Sequence, residues 1–229
     1  MGHMKIVELW RYPVKSMAGE RLDGARIDAL GIEGDRVVHV EDARGRVVTA
    51  RTHPQLLGHR AVLAVSGEPL VDGAPWTHPQ ARQSVVGIVG QGARLVRDET
   101  ADRFDVLPLL VATDGAIAQF GYDGRRLRPN IVVGDVEGLA ERSWPGHCLR
   151  VGEVLIGVQD LRGRCVMTTF DPDTLVQNPK VLRRIVKEFG GELALNCHVI
   201  RGGEIRVGDA VELVPCREEL IDAVADGPT

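Results

Sequence analysis

A chain of 229 residues, 44% of them hydrophobic and 26% charged, has the make-up of a folded globular protein with a sizeable core, in one large domain or two small ones. Its formal net charge of -4 and pI of about 6.0 exclude a global pull toward nucleic acid or an anionic membrane, so any anion site has to be a local pocket. The four cysteines, Cys148, Cys165, Cys197 and Cys216, show no short paired spacing, which argues against a zinc ribbon, a redox dithiol motif or a disulfide scaffold and for a reduced, cytoplasmic setting.

The opening Met1-Gly2-His3-Met4 reads as a tag remnant, with the natural start at Met4. The remainder of the chain has neither a signal-peptide core nor a membrane-spanning apolar run, so a soluble protein is expected. From Lys5 to about Val96, short apolar runs at 6–10, 37–40, 60–65 and 84–89 are broken by Gly, Pro and Asp, and their β-branched content predicts strands. Residues 98–105 are polar enough to read as a linker. They set an approximate boundary between an N-terminal β domain at 4–97 and a second domain at 98–216, across which strands can be shared.

Thr113-Asp114 caps a predicted short helix through Ala116, Ile117 and Phe120 that stops at Gly121. Residues 149–156 and 205–214 echo each other, each placing Gly and an acid between β-type runs, as barrel strands joined by tight turns do. Between them, a helix is predicted from Pro179 through Val181, Leu182, Ile185, Val186 and Phe189 to the stop Gly190-Gly191. Its other side carries Lys180, Arg183, Arg184 and Lys187, either a solvated face or a docking face for a redox partner. The expected fold is mainly β, barrel-like, with a few helices.

Cys165 is the chemically richest position, in the run Arg164-Cys165-Val166-Met167-Thr168-Thr169-Phe170-Asp171-Pro172. A thiolate binds soft metals, and the adjacent guanidinium favours the deprotonated form; the competing reading is a buried cysteine that packs as a small apolar residue. Cations and small polar groups recur in turn-like contexts at Tyr12-Pro13-Val14-Lys15-Ser16, Gly34-Asp35-Arg36, Thr49-Ala50-Arg51 and Arg128-Pro129-Asn130, a set suited to gripping a phosphate or polar head group. A Walker loop and a dinucleotide fingerprint are both missing from the sequence, which disfavours ordinary nucleotide-binding folds. Cys197 and His198 sit in a β-type stretch and read as core, and the other histidines form no ligand pattern.

Taken in order, these segments resemble the MOSC family, named after the molybdenum-cofactor sulfurase C-terminal domain, together with its associated N-terminal barrel. The landmarks are Tyr12-Pro13-Val14-Lys15-Ser16 with Gly19, Gly31-Ile32-Glu33-Gly34-Asp35-Arg36, Pro108-Leu109-Leu110-Val111-Ala112-Thr113, Arg128-Pro129-Asn130-Ile131-Val132-Val133, Arg164-Cys165 with Thr168-Thr169 and Asp171-Pro172, and Leu195-Asn196-Cys197. The resemblance implies a MOSC-type β-barrel plus a smaller N-terminal β domain, holding the molybdenum cofactor as a single pyranopterin with Cys165 as the metal ligand. It further implies that Lys15, Ser16 and Arg36 meet the cofactor phosphate or pterin, that Arg128 and Asn130 hold its edge, and that Thr113 at a helix start faces an anion, with Arg51 as an addition.

Asp114 is expected to handle protons beside the metal or, as simply, to compensate a helix dipole. Thr168 and Thr169 either orient Cys165 or satisfy barrel backbone, and Asp171 forms a turn. The implied activity is oxygen-atom removal from N-hydroxylated small molecules. Its electrons come from an external ferredoxin, flavoprotein or cytochrome, because the sequence carries neither an iron–sulfur cysteine run nor a flavin fingerprint. The alternative is a cofactor carrier or a persulfide-bearing sulfur-transfer module, though without the aminotransferase-like segments that mobilise sulfur from cysteine.

Overall fold

The computed structural model describes residues 3–216. The first two residues of the tag remnant therefore lie outside the described residues. The fold is mainly β with three α-helices among the described residues.

The N-terminal part contributes β1 (Lys5–Arg11), β2 (Glu20–Leu22), β3 (Gly24–Asp28), β4 (Val38–Glu41), β5 (Val47–Val48), α1 (Pro79–Val89) and β6 (Arg94–Arg97). The rest contributes β7 (Leu109–Thr113), α2 (Asp114–Phe120), β8 (Ile131–Gly134), β9 (His147–Val151), β10 (Val154–Gly163), α3 (Pro179–Phe189), β11 (Glu192–Arg201), β12 (Gly203–Arg206) and β13 (Glu212–Pro215). Eight of these strands form one sheet in the order β13-β9-β10-β11-β7-β8-β1-β2. β7 and β8 are parallel, with Val111 opposite Ile131, and α2 lies in the crossover that a parallel pair requires.

The two halves share strands. β1 and β2 complete the large sheet, while β12, from near the C-terminal end, pairs with β3. A separate sheet, β6-β4-β5, packs its inward residues Val38, Val40 and Val48 against Val14, Leu56, Ala81 and Val85. Two other cores fill the large sheet and the space beneath α2 and α3, the latter around Phe120, Leu127, Ile185 and Leu193. Removing any of these large fully buried side chains to Ala costs about 2–5 kcal/mol.

Two expectations need correction. Residues 84–89 are not a strand but the second half of α1. His78 caps this helix by accepting from Gln80 N at 3.3 Å, Pro79 starts it, and Ala81 and Val85, four residues apart, are the positions buried in the core. Helical spacing of the buried positions outweighs β-branched propensity. Nor are all four cysteines unpaired: Cys148 and Cys216 form a disulfide, with Cα atoms 5.2 Å apart. A separation of 68 residues hides the pairing, but β9 and β13 are neighbours in register, Cys148 opposite Val214. No helix among the described residues is long and apolar enough to cross a membrane.

A thiol titration in denaturant without reductant should therefore count two thiols, from Cys165 and Cys197, and four after reduction. Reduction should lower unfolding stability by about 2–4 kcal/mol, the usual range for a bridge closing a loop of this length.

Candidate functional site

Three chain segments meet around one buried carboxylate. Asp35, fully buried, accepts from Tyr12 N (2.7 Å) and Asn130 Nδ2 (3.1 Å) and pairs with the guanidinium of Arg36. Backbone bonds reinforce the junction: Arg36 N donates to Tyr12 O (2.8 Å), Lys15 N to Val38 O (2.8 Å), and Asn130 N to Leu110 O (2.7 Å). Gly19 is required here, because a Cβ at that position would sit 2.2 Å from Arg11 O and 2.5 Å from the Tyr12 ring. Ser16, Arg36 and Arg128 each adopt left-handed backbone, with φ of 70°, 55° and 56°. Non-glycine residues rarely hold that conformation unless the surroundings impose it.

The junction opens onto a cleft with a cavity of about 110 Å³ behind an open mouth. Lys15, Ser16, Arg36, Arg51, Arg128, Asn130, Cys165 and Thr168, scattered in the sequence, all line it. Arg126, Arg162, Arg164 and Asp105 join them. Seven cationic side chains thus face one carboxylate.

Asp105 is where the cations are tied together. Its carboxylate takes Lys15 Nζ at 2.9 Å, Arg51 Nη2 at 2.6 Å and Arg162 Nη2 at 3.7 Å. Partial burial pushes its pKa up, but the Lys15 hydrogen bond and the charges of Lys15, Arg51 and Arg162 more than offset this and leave it below the usual carboxylate range. Arg128, stacked 4.2 Å over the Tyr12 ring, and Arg164, which donates to Leu127 O at 2.6 Å, are both pulled down to about 10 by burial. Burial likewise pushes the Tyr12 hydroxyl up to about 12.

Three guanidinium nitrogens in this cleft are buried without a partner among the described residues: Arg128 Nη2, Arg126 Nε and Arg164 Nε. Unpaired buried donors on cations are costly, and an anionic ligand would satisfy them. Cys165 lies half-buried just past the end of β10, at the N-cap position of the 3₁₀ turn Val166–Thr169, and Arg51 lines the same cleft. Thr168 Oγ1 donates to Cys165 O (2.8 Å) and Thr169 Oγ1 to Val166 O (2.6 Å), so both hydroxyls hold the turn that carries the thiol; Thr169 does not reach the cleft. This donor set fits a soft metal attached to a phosphate-bearing group.

The other thiol, Cys197, is a core residue whose pKa burial pushes far up. Asn130 is a brace, since its amide is used by Leu110 N, Trp10 O and Asp35.

Thr113 and Asp114 are not in the cleft. They lie at the other end of β7 from Leu109, about 13 Å away at strand rise, where Thr113 Oγ1 caps α2 and contacts the buried Glu141, and Asp114 accepts from Gly115 N, Asp135 N and Val136 N. Asp114 is a structural cap, so the proton-handling role assigned to it falls, as does the anion-facing role of Thr113.

Asp105 is the acid that sequence reasoning missed, because it ends the stretch read as a linker. Arg162 was legible in principle: Arg162 and Arg164 alternate at a strand end, so the two point to one side.

Family comparison agrees with this architecture. Residues 3–83 match the MOSC N-terminal beta barrel domain, and residues 114–212 match the MOSC domain. The chain belongs to the MOSC family. Among MOSC relatives, mitochondrial amidoxime-reducing component 1 of Homo sapiens is 26% identical over 249 residues, covering 80% of this chain and 71% of that protein. The Mus musculus protein of the same name is 27% identical over 291 residues, covering 91% and 82%. The crystal structure of the YuaD protein from Bacillus subtilis shares the fold, with a TM-score of 0.53 at 14% identity over 94% of this chain and 98% of that one.

Asp35→Ala should lower stability by roughly 3 kcal/mol or more in urea denaturation, since it strands a partly buried guanidinium and two N–H donors. Asp105 makes one contribution to the pH dependence of stability that a single variant isolates. With its folded pKa depressed, its contribution is complete above the unfolded value of about 3.9 and disappears as pH falls through the lower folded value. The stability difference between wild type and Asp105→Asn should therefore hold from about pH 7 to pH 5 and shrink toward pH 2 in acid-denaturation series.

Proposed function

We propose that this protein is a molybdenum-cofactor-dependent oxidoreductase that removes oxygen from N-hydroxylated compounds. An amidoxime, two electrons and two protons yield the amidine and water. The observation that carries the reading is a half-buried thiol on the wall of a cleft in which seven cations, three of them with unpaired buried nitrogens, face a single carboxylate. The amidoxime-reducing relatives support the substrate class.

When bound, the cofactor, a single pyranopterin carrying molybdenum, supplies the two-electron chemistry and the acceptance of an oxygen atom that no side chain provides. The chain does the rest. Cys165 would ligate the metal through sulfur, with Arg51 and Arg164 among the cations that line the same cleft. Lys15, Ser16, Arg36 and Arg128 grip the phosphate and pterin, a task for which guanidinium forks and a point-charge ammonium are suited. Asn130 keeps Arg36 aimed by accepting from it at 3.4 Å. Asp105 holds Lys15 and Arg51 apart from solvent counter-ions and fixes their spacing. In this reading the electrons come from a ferredoxin, flavoprotein or cytochrome.

Protein produced in a cofactor-competent host should contain about one molybdenum per chain and reduce an N-hydroxyamidine with a dithionite-reduced dye. Cys165→Ala should lower kcat by about 1,000-fold or more, while Cys197→Ala leaves turnover within about twofold and costs about 1–2 kcal/mol of stability. Full turnover in Cys165→Ala refutes the assignment, and bound cofactor without any reduction favours a carrier.

A further inference from the structure

α3 presents more apolar surface than its core uses. Val181, Ile185 and Phe189 face inward and are buried, but Leu182 and Val186 form a second stripe one step round the helix, with Val186 59% exposed. At 100° per residue the next stripe is Lys180, Arg183 and Lys187. All three are exposed, and none forms an ion pair among the described residues. The neighbouring carboxylates are already used: Glu188 by Arg184 (2.8 Å), Asp173 by Arg125 (2.6 Å) and Asp171 by Arg126 (2.8 Å). In a chain of net charge -4, this is a local reversal of sign.

The apolar stripe is one wall of an open groove. Leu182, Val186 and Pro179 form that wall, and the opposite wall is Val166 and Thr169. Val166 directly follows Cys165 in the chain, and the 3₁₀ turn is fastened to α3 through Asn178 N, which donates to Thr169 O at 2.8 Å while the Asn178 side chain caps the helix. The groove therefore backs onto the peptide segment that carries the cleft thiol.

We infer that the groove between α3 and the 166–169 turn, with its Lys180–Arg183–Lys187 rim, is the docking surface for an acidic one-electron donor protein. The inference rests on the reading of Cys165 as the metal ligand. Unpaired cations around an apolar patch suit a partner with an acidic rim and an apolar centre, and they speed encounter without requiring tight binding. Two successive one-electron deliveries supply the pair consumed in cleaving the N–O bond, each oxidising one donor molecule, while water supplies the two protons.

The test uses the full chain, with a purified plant-type ferredoxin and, separately, a flavodoxin as acidic probes. Direct titration of the oxidised probe should give a Kd that rises steeply with salt for wild type and at least about tenfold for the triple variant Lys180→Glu, Arg183→Glu, Lys187→Glu. The matched variant Arg44→Glu, Arg60→Glu, Arg82→Glu should bind like wild type. Dye-driven turnover should be the same in all three proteins, whereas turnover driven by the reduced probe should fall in the first variant alone.

Equal binding by both variants, loss of binding in both, or no binding of either probe to wild type overturns the proposal. So does a dimer in sedimentation that only the first variant dissociates, which would assign the groove to a second copy of this chain. Because the titration does not require turnover, it decides the docking surface even if no N-hydroxy reduction is found.

Discussion

The site depends on one carboxylate taken out of water. Asp35 is fully buried, and a buried charge is tolerated only when its partners are supplied by the fold. Those partners come from the end of β1, from the residue after Asp35, and from the turn entering β8. Because β7 and β8 are parallel and β1 is antiparallel to β8, the C-terminal end of β1 and the N-terminal ends of β7 and β8 lie at the same edge of the sheet. Asp35 ties that edge together, and Lys15, Arg36 and Arg128 emerge around it.

Around this anchor the balance of charge is deliberately one-sided. Like charges packed into one cleft repel, and burial depresses Arg128 and Arg164, yet only Asp105 answers the cations from inside the cleft. Such an arrangement is poor as pure architecture, because an apolar filling would be at least as stable. It makes sense for a cavity built to receive negative charge, with the thiol of Cys165 the soft donor among hard ones.

Much of this was legible in the sequence. The segments around Lys15, Arg36, Arg128 and Cys165 could be picked out because each combines turn residues with donors, and those residues do line one cleft. Both predicted helices end at their glycines, Gly121 and Gly190, which adopt left-handed backbone as helix stops do. What failed were judgements in which local pattern and spatial context disagree. The valine-rich 84–89 segment looks β-type until the core-facing spacing of Ala81 and Val85 is known. Asp114 looks catalytic because it follows a helix-capping threonine, but strand length carries both away from the cleft. Asp105 looks like linker because its partners, Lys15, Arg51 and Arg162, are scattered over almost 150 residues of chain. Disulfide pairing was invisible for the same reason: register between β9 and β13, not sequence spacing, brings Cys148 to Cys216.

The left-handed backbone at Ser16, Arg36 and Arg128 bears on how a ligand would be received. Three residues that line the cleft are mounted on main-chain geometry that free peptides seldom visit, so the backbone positions from which they reach into it are settled when the chain folds. Entropy that a flexible receptor would lose at encounter has here been surrendered in advance. The receptacle is a mould rather than a hand: it selects its guest by shape and charge already in place, and has little latitude to close around a poorer one.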